Sequence, residues 1–350
     1  MSTLPSITIT KHPGSIVELS GEFSHEAFAT YEAKALANLQ TVIEVQGFRK
    51  GHVPEDVARK HIPESAILEE MAHVALTDTY PRMLMEHKID AIDRPIFTIT
   101  KLAKGNPFGF SIKTAVLPEV TLPDYKKIAK THTEIQEVVP VTEKEIDDAI
   151  LNLRKMRAHA EHDHAGHDHD HEHDHSEEEL PVVDDAFVQS LGDFKDVADF
   201  TEKLRKNLED QRVREAEEKV RIKLMDELVE KTEMDIPQIL IDAELDKMLF
   251  QMKADVSQAG LSFDDYLVHI KKTEDDLKKE WADDGKKRVS FQLIIQKISE
   301  NEKLQPTDEE IEKDAAPLLA KYKDADPIRV RAYIDRMITN EKVFGFLLKK

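Results

Sequence analysis

The stretch Ala158–Glu179 reads AHAEHDHAGHDHDHEHDHSEEE, and it separates two parts of the chain that have different character. It holds eight of the sixteen histidines, most of them two residues apart with Asp or Glu between, and almost no apolar side chain. A segment that buries no apolar surface has nothing to offset the entropy of ordering its backbone. Residues 158–179 therefore read as a solvated, flexible linker or long loop. Imidazoles alternating with carboxylates also suit weak coordination of Zn²⁺, Ni²⁺ or Cu²⁺. The candidate ligands are His159, His162, His164, His167, His169, His171, His173 and His175. The His-Glu-x-x-His spacing of a catalytic zinc helix is absent. Two readings stand together here: a spacer with incidental affinity, and a weak metal-binding tract. Neither requires a cofactor.

Upstream of the tract, residues 1–118 read as an α+β domain. Residues 6–10 and 15–19 have strand character on either side of the turn signal Pro13-Gly14. Ser24 is placed to cap a helix over 25–41 that carries Phe28, Tyr31, Ala35 and Leu39. A second helical pattern over 64–88 contains Pro81, which predicts a kink or break. Residues 92–102 and 108–117 read as strands. In the second, Phe108, Phe110, Ile112, Thr114 and Val116 alternate with smaller or polar residues. Residues 119–157 read as an extended connection and an arm helix, with the chain extended beyond Pro123 to about Pro140. Thr142-Glu-Lys-Glu145 then forms a capping box that opens an arm helix to about Arg157.

Downstream, 180–350 reads as all-α. One long helical pattern covers 200–231, and another follows Pro237, whose ring suits a first helical position. Helices over 263–272, 274–301 and 308–322 follow a break at Gly260-Leu-Ser262. Thr307-Asp-Glu-Glu310 is a second capping box, and Asp326-Pro327 opens the last helix. The pattern is too polar and irregular for one coiled coil. It predicts an elongated helical domain that packs with 119–157.

Composition narrows the function classes. The 350-residue chain has no cysteine, which excludes disulfides, Cys-ligated zinc and a thiol nucleophile. Its net charge of -21 argues against general nucleic-acid binding. That charge is uneven: residues 1–118 are close to neutral, with 12 basic against 14 acidic side chains, and the remainder carries almost all of the excess. The first residues lack a signal-peptide pattern, and no apolar run is long enough to span a bilayer. The expectation is a cytoplasmic protein without a membrane partner. No phosphate-binding glycine loop, nucleophile elbow or other catalytic constellation stands out. Met225, Met234, Met248, Phe250, Met252 and Tyr266 suit either helical core or an adaptable apolar binding surface.

The most informative short motif is Gly47-Phe48-Arg49-Lys50-Gly51-His52-Val53-Pro54. Two glycines and a proline mark a loop, with an aromatic and two cations between them. Residue chemistry alone leaves a solvated basic loop and a docking loop both open. The motif resembles the G-F-R-x-G-x-x-P signature of the bacterial trigger factor family. Leu117-Pro-Glu-Val-Thr-Leu-Pro-Asp-Tyr125, Val141–Ile146, Leu180–Phe187, Ser190–Asp193 and Leu204–Asn207 extend the resemblance along most of the chain.

The resemblance implies that Phe48, Arg49 and Lys50 form a ribosome-contacting tip, supported by Gly47, Gly51 and Pro54. It implies an α+β ribosome-binding domain followed by a SurA-like helical chaperone domain with arms. The function it implies is ATP-independent holding of nascent and unfolded polypeptides near the ribosomal exit; whether free chains form a homodimer is left open by the sequence. Individual client-contact residues are not assigned by it. In that family the arm helix leads into an FKBP-like prolyl isomerase domain. Here the histidine tract stands in its place and is too short and polar to hold one, so no isomerase activity is expected. The alternatives are a free holdase or assembly chaperone, and a metal-responsive protein acting through the tract.

Overall fold

The computed structural model describes residues 4–46, 48–49, 52–133, 140–163 and 180–348, with backbone only at Thr133 and over 159–163. The chain divides into two compact units, each made of two chain segments. Unit 1 comprises Met1–Pro123 and Lys231–Thr339, and unit 2 comprises Asp124–Glu230 and Asn340–Lys350. The α+β head and the helical remainder are present as the alternation and helical periodicities indicate. The unit boundary follows Pro123, and helices from the C-terminal half are shared between the units.

The head contains β1 (Ser6–His12), β2 (Ile16–Phe23), α1 (His25–Ala29), α2 (Glu32–Val42), α3 (Glu55–His61), α4 (Glu64–His87), β3 (Ile96–Lys101) and β4 (Phe108–Ala115). The strands form one antiparallel sheet in the order β1-β2-β4-β3. Gly14 and Ser15 both have positive φ in the β1–β2 turn, which explains a glycine at its centre. Phe23, Phe28, Phe108 and Phe110 form the aromatic centre of the core, with Phe28 and Phe108 stacked at 4.7 Å.

Three local readings are corrected by packing. The helix over 25–41 is two helices, α1 and α2, divided at Thr30-Tyr31. Ser24 caps the first by accepting the Ala27 amide at 3.2 Å. Pro81 does not end α4, which runs unbroken from Glu64 to His87 with Tyr80 and Met83 buried beside the proline. Burial of that helix face outweighs the one backbone hydrogen bond that proline removes. The expected alternation of β4 becomes burial on both faces, because β4 is a central strand. On its second face Gly109, Ser111 and Ala115 are small and also buried.

Unit 1 continues with α9 (Gln238–Gln258), α10 (Phe263–Ile270), α11 (Glu274–Glu280), α12 (Ala282–Glu302), α13 (Asp308–Lys321) and most of α14 (Pro327–Leu347). The pattern over 274–301 is divided at Trp281 into α11 and α12, and Pro237 is the N-cap of α9 rather than its first helical residue. α9 and α12 cross closely at Gly285, where an added Cβ would lie 2.9 Å from Leu245. The Thr307–Glu310 capping box forms with both reciprocal bonds. Asp235 binds the head: its carboxylate accepts the Gly14 and Ser15 amides at 2.6 and 3.2 Å, and its carbonyl accepts the Ser15 hydroxyl at 2.5 Å. Thr121 and Glu233 add an antiparallel bridge.

Unit 2 contains α5 (Tyr125–Thr133), α6 (Glu143–Asp163), α7 (Asp185–Leu191) and α8 (Val197–Lys231, through Glu230). The stretch read as extended up to Pro140 is therefore helical over α5, where burial of Ile128 and Ala129 on one side of the turn favours the helix. Thr142 and Glu145 form the capping box of α6, which runs on to Asp163, into the histidine tract. Phe187, Val188 and Phe200 pack with Ile150 and Leu153 of α6, tying the arm helix to the chain after the tract.

Candidate docking loop and exposed helical surfaces

The loop after α2 is held at both of its bases. Ile43 and Val45 pack against the head core, and Val53 is buried on the returning side. Between them the Phe48 amide donates to the Val45 carbonyl at 3.0 Å and the His52 amide donates to the Arg49 carbonyl at 2.9 Å. Pro54 then caps α3, its carbonyl accepting the Val57 and Ala58 amides. Buried Val53, partly buried Val45 and two turn bonds hold a tip that presents Phe48, 42% exposed, together with an exposed Arg49. Gly47, Lys50 and Gly51, which complete the motif, lie outside the described residues.

The electrostatics leave Arg49 available. Arg59, on the neighbouring helix, is engaged with Glu32 at 2.5 Å. Among the described residues Arg49 makes no ion pair or side-chain hydrogen bond. A planar guanidinium displayed beside an aromatic ring suits bidentate recognition of phosphate or carboxylate on a partner.

The titration shifts in the described residues have structural causes. Glu145 is held below the usual carboxylate range chiefly by hydrogen bonds from the Thr142 backbone and hydroxyl, and then by Arg212. Asp276 is lowered by Thr273 in the same kind of cap. Glu18 is lowered first by the Ser111 hydroxyl and then by His12. These groups are caps and surface pairs; they do not converge on a pocket. Among the described residues no three His, Asp or Glu side chains stand close enough to hold a metal ion. His164, His167, His169, His171, His173 and His175 lie outside the described residues. His159 and His162 fall on the α6 backbone, with no side-chain placement described.

The helical binding-surface candidates separate clearly. Met225 is buried, and Met234 and Met248 pack against the cluster of Ile236, Ile241, Leu245 and Val289. These residues are core. Phe250 is 74% exposed. Exposed Val268, Leu261, Ile328, Tyr322 and Tyr333 complete a set that helical periodicity did not single out. The signal was present in α10: Phe263, Tyr266, Leu267, Val268 and Ile270 are apolar or aromatic, yet no residue of that helix is buried. Apolar side chains that a helix cannot bury are available to another chain. No helix among the described residues is long and apolar enough to cross a membrane.

Comparison with known proteins agrees with this layout. Residues 6–153 match the family model for bacterial trigger factor protein, and residues 196–349 match the model for its C-terminus. Trigger factor of Bacillus pumilus is 25% identical over 389 residues, covering 91% of this chain and 92% of that protein. Trigger factor of Limosilactobacillus fermentum is 26% identical over 361 residues, covering 82% and 83%, and that of Bacillus subtilis is 24% identical, covering 91% and 92%. The first of these alignments is longer than the 350-residue chain itself, so the relative carries residues that have no counterpart here. A solved structure from work on promiscuous substrate recognition in the folding and assembly activities of the trigger factor chaperone has the same fold. Its TM-score is 0.58 at 19% identity, and it covers 99% of both chains. With its two halves matched to the N- and C-terminal family models and the anchored loop lying in the first, the chain belongs to the bacterial trigger factor family.

Proposed function

We propose that this chain is an ATP-independent, ribosome-associated chaperone of the cytoplasm. It docks near the nascent-chain exit through Phe48, Arg49 and Lys50, holds nascent or unfolded polypeptides and has no prolyl isomerase activity. The observation that carries the reading is the loop pinned at Val45 and Val53, which displays Phe48 and an Arg49 that makes no ion pair among the described residues, within the matched N-terminal segment. Exposed apolar side chains such as Phe250 and Val268 supply weak, adaptable contacts for clients. Release follows from modest affinity and from the client's own folding.

Co-sedimentation with ribosomes tests docking. Arg49→Ala combined with Lys50→Ala should weaken association while leaving the circular dichroism spectrum unchanged, and binding should fall as salt rises. Association that is insensitive to both would overturn the docking role. Isomerase activity is read from proline-limited refolding of a model protein, where no catalysed rate is expected. Free chains are proposed to pair as homodimers, which sedimentation equilibrium would resolve.

A second reading concerns the histidine tract. Arg154 donates to the Pro181 carbonyl at 2.7 Å and to the Leu180 carbonyl at 3.3 Å, while Ala158 and Leu180 are both buried. The chain entering the tract and the chain leaving it are thus fastened together. We propose that this tethered, histidine-dense segment binds Zn²⁺, Ni²⁺ or Cu²⁺ weakly without being needed for client holding. Zinc titration calorimetry should show uptake that is lost when His164, His167, His169, His171, His173 and His175 are replaced by Asn. Uptake should also weaken as pH falls below about 6.5, where imidazole protonates. Zinc uptake that survives the replacements would defeat the assignment.

A further inference from the structure

We propose that the free edge of the sheet, strand β1, pairs with extended segments of unfolded polypeptides and forms a holding surface in the head. The inference rests on the chaperone reading and adds a client class: β-prone segments that alternate apolar and polar residues.

β1 is an outer strand, so one side of its backbone carries N–H and C=O groups that no strand pairs among the described residues. Its register with β2 is continuous from Ser6↔Glu22 to His12↔Ile16, without bulge or proline, and Lys11 is its only full charge. Exposed edges are normally protected by charges, bulges or proline. The opposite edge shows two such devices: β3 shifts register between Ile99 and Lys101, and Lys101 pairs with Glu22 at 3.8 Å. β1 shows a different composition. Ile7 and Ile9 lie on the core face, in register with Gly21 and Leu19, and Ile9 is 41% exposed. Thr8 lies on the other face, in one transverse row with Ser20, Ser111 and Thr98.

A groove supplies the second observation. An open cavity of about 580 Å³ adjoins the C-terminal half of β1, with Ile9, Ile16, Ile89, Val116 and Leu117 in its lining. Its rim carries charges of both signs, with Lys11 and Lys88 against Asp90, Glu119 and Asp235. Strand addition draws affinity from main-chain hydrogen bonds and selectivity from pockets that accept alternate side chains. A strand laid along β1 would set every second side chain beside Ile7 and Ile9, the latter at this groove, and the others beside Thr8 and Thr10. Main-chain pairing recognises the extended backbone, and the two faces of β1 select segments that alternate apolar and polar residues.

The test uses the full-length chain and a fluorescent peptide of alternating Val and Thr flanked by Lys. Fluorescence anisotropy should show binding that Ile9→Lys weakens about tenfold or more, while Ile9→Val leaves it unchanged. Hydrogen exchange on the unmodified chain should show slowed amides over 6–12 when peptide is added, a readout that does not depend on how the variants fold. Equal binding by a folded Ile9→Lys variant, or protection confined to the helices, would overturn the proposal. Suppression of aggregation of a denatured protein is measured alongside. If suppression is intact and the edge is unprotected, the edge proposal falls and the chaperone reading stands; if suppression is absent, both fall.

Discussion

The helices α4 and α8 show two ways of using a long helix. α4 has 24 residues and buries nine of them in the head core. α8 has 35 residues and buries four: Phe200, Leu224, Met225 and Leu228. The first is scaffold, and its stability comes from the core it covers. The second keeps most of its length in solvent, and its stability comes from its ends, from ion pairs and from short packed patches. A rigid head can therefore hold a loop tip such as Phe48-Arg49 in place, while sparsely buried helices keep side chains available for other chains.

Mutations that separate these two regimes sharpen the comparison. The largest effect is expected in the head core. Phe108→Ala removes a fully buried ring stacked on Phe28 and Phe23 and should cost about 3–5 kcal/mol by chemical denaturation. A loss no larger than that of a surface substitution would show that the head is not the packed scaffold described. A smaller effect is expected where unit 1 closes on the head's turn. Asp235→Ala leaves the Gly14 and Ser15 amides to water and should cost about 1 kcal/mol, with faster exchange at those amides. Thr307→Ala, which removes the α13 cap, should likewise cost about 1 kcal/mol, detected as a lowered thermal midpoint. The smallest stability effect belongs to Phe250→Ser, within about 0.5 kcal/mol, because the ring is already in solvent. That same change should weaken aggregation suppression. Lost stability with unchanged holding would reverse the assignment of this ring.

Much of the head was legible because its signals are local. The Pro13-Gly14 turn, the Ser24 cap and the strand over 108–117 are stated by short-range residue chemistry and are present at those places. The capping boxes at Thr142 and Thr307 were equally readable, since each needs partners only three residues apart. The candidate docking loop was legible as a loop but not as an anchored one. Its anchoring comes from Val45 and Val53 meeting a core assembled from distant segments.

By itself, the sequence determined the kind of most elements, though not the helices α3 and α5, together with most helix starts, the near-neutral head and acidic remainder, and a polar tract with too few apolar residues for a packed domain. All of these follow from periodicity, capping and composition, which act over a few residues. Tertiary structure alone decided that Pro81 sits inside a continuous helix and that β4 is buried on both faces. It also decided that Asp235 closes on a turn more than two hundred residues away, and that Phe250 is exposed while Met225 is core. The physical reason is common to these cases: burial and long-range hydrogen bonding depend on which segments meet, and the same apolar residue is core or binding surface according to what packs over it.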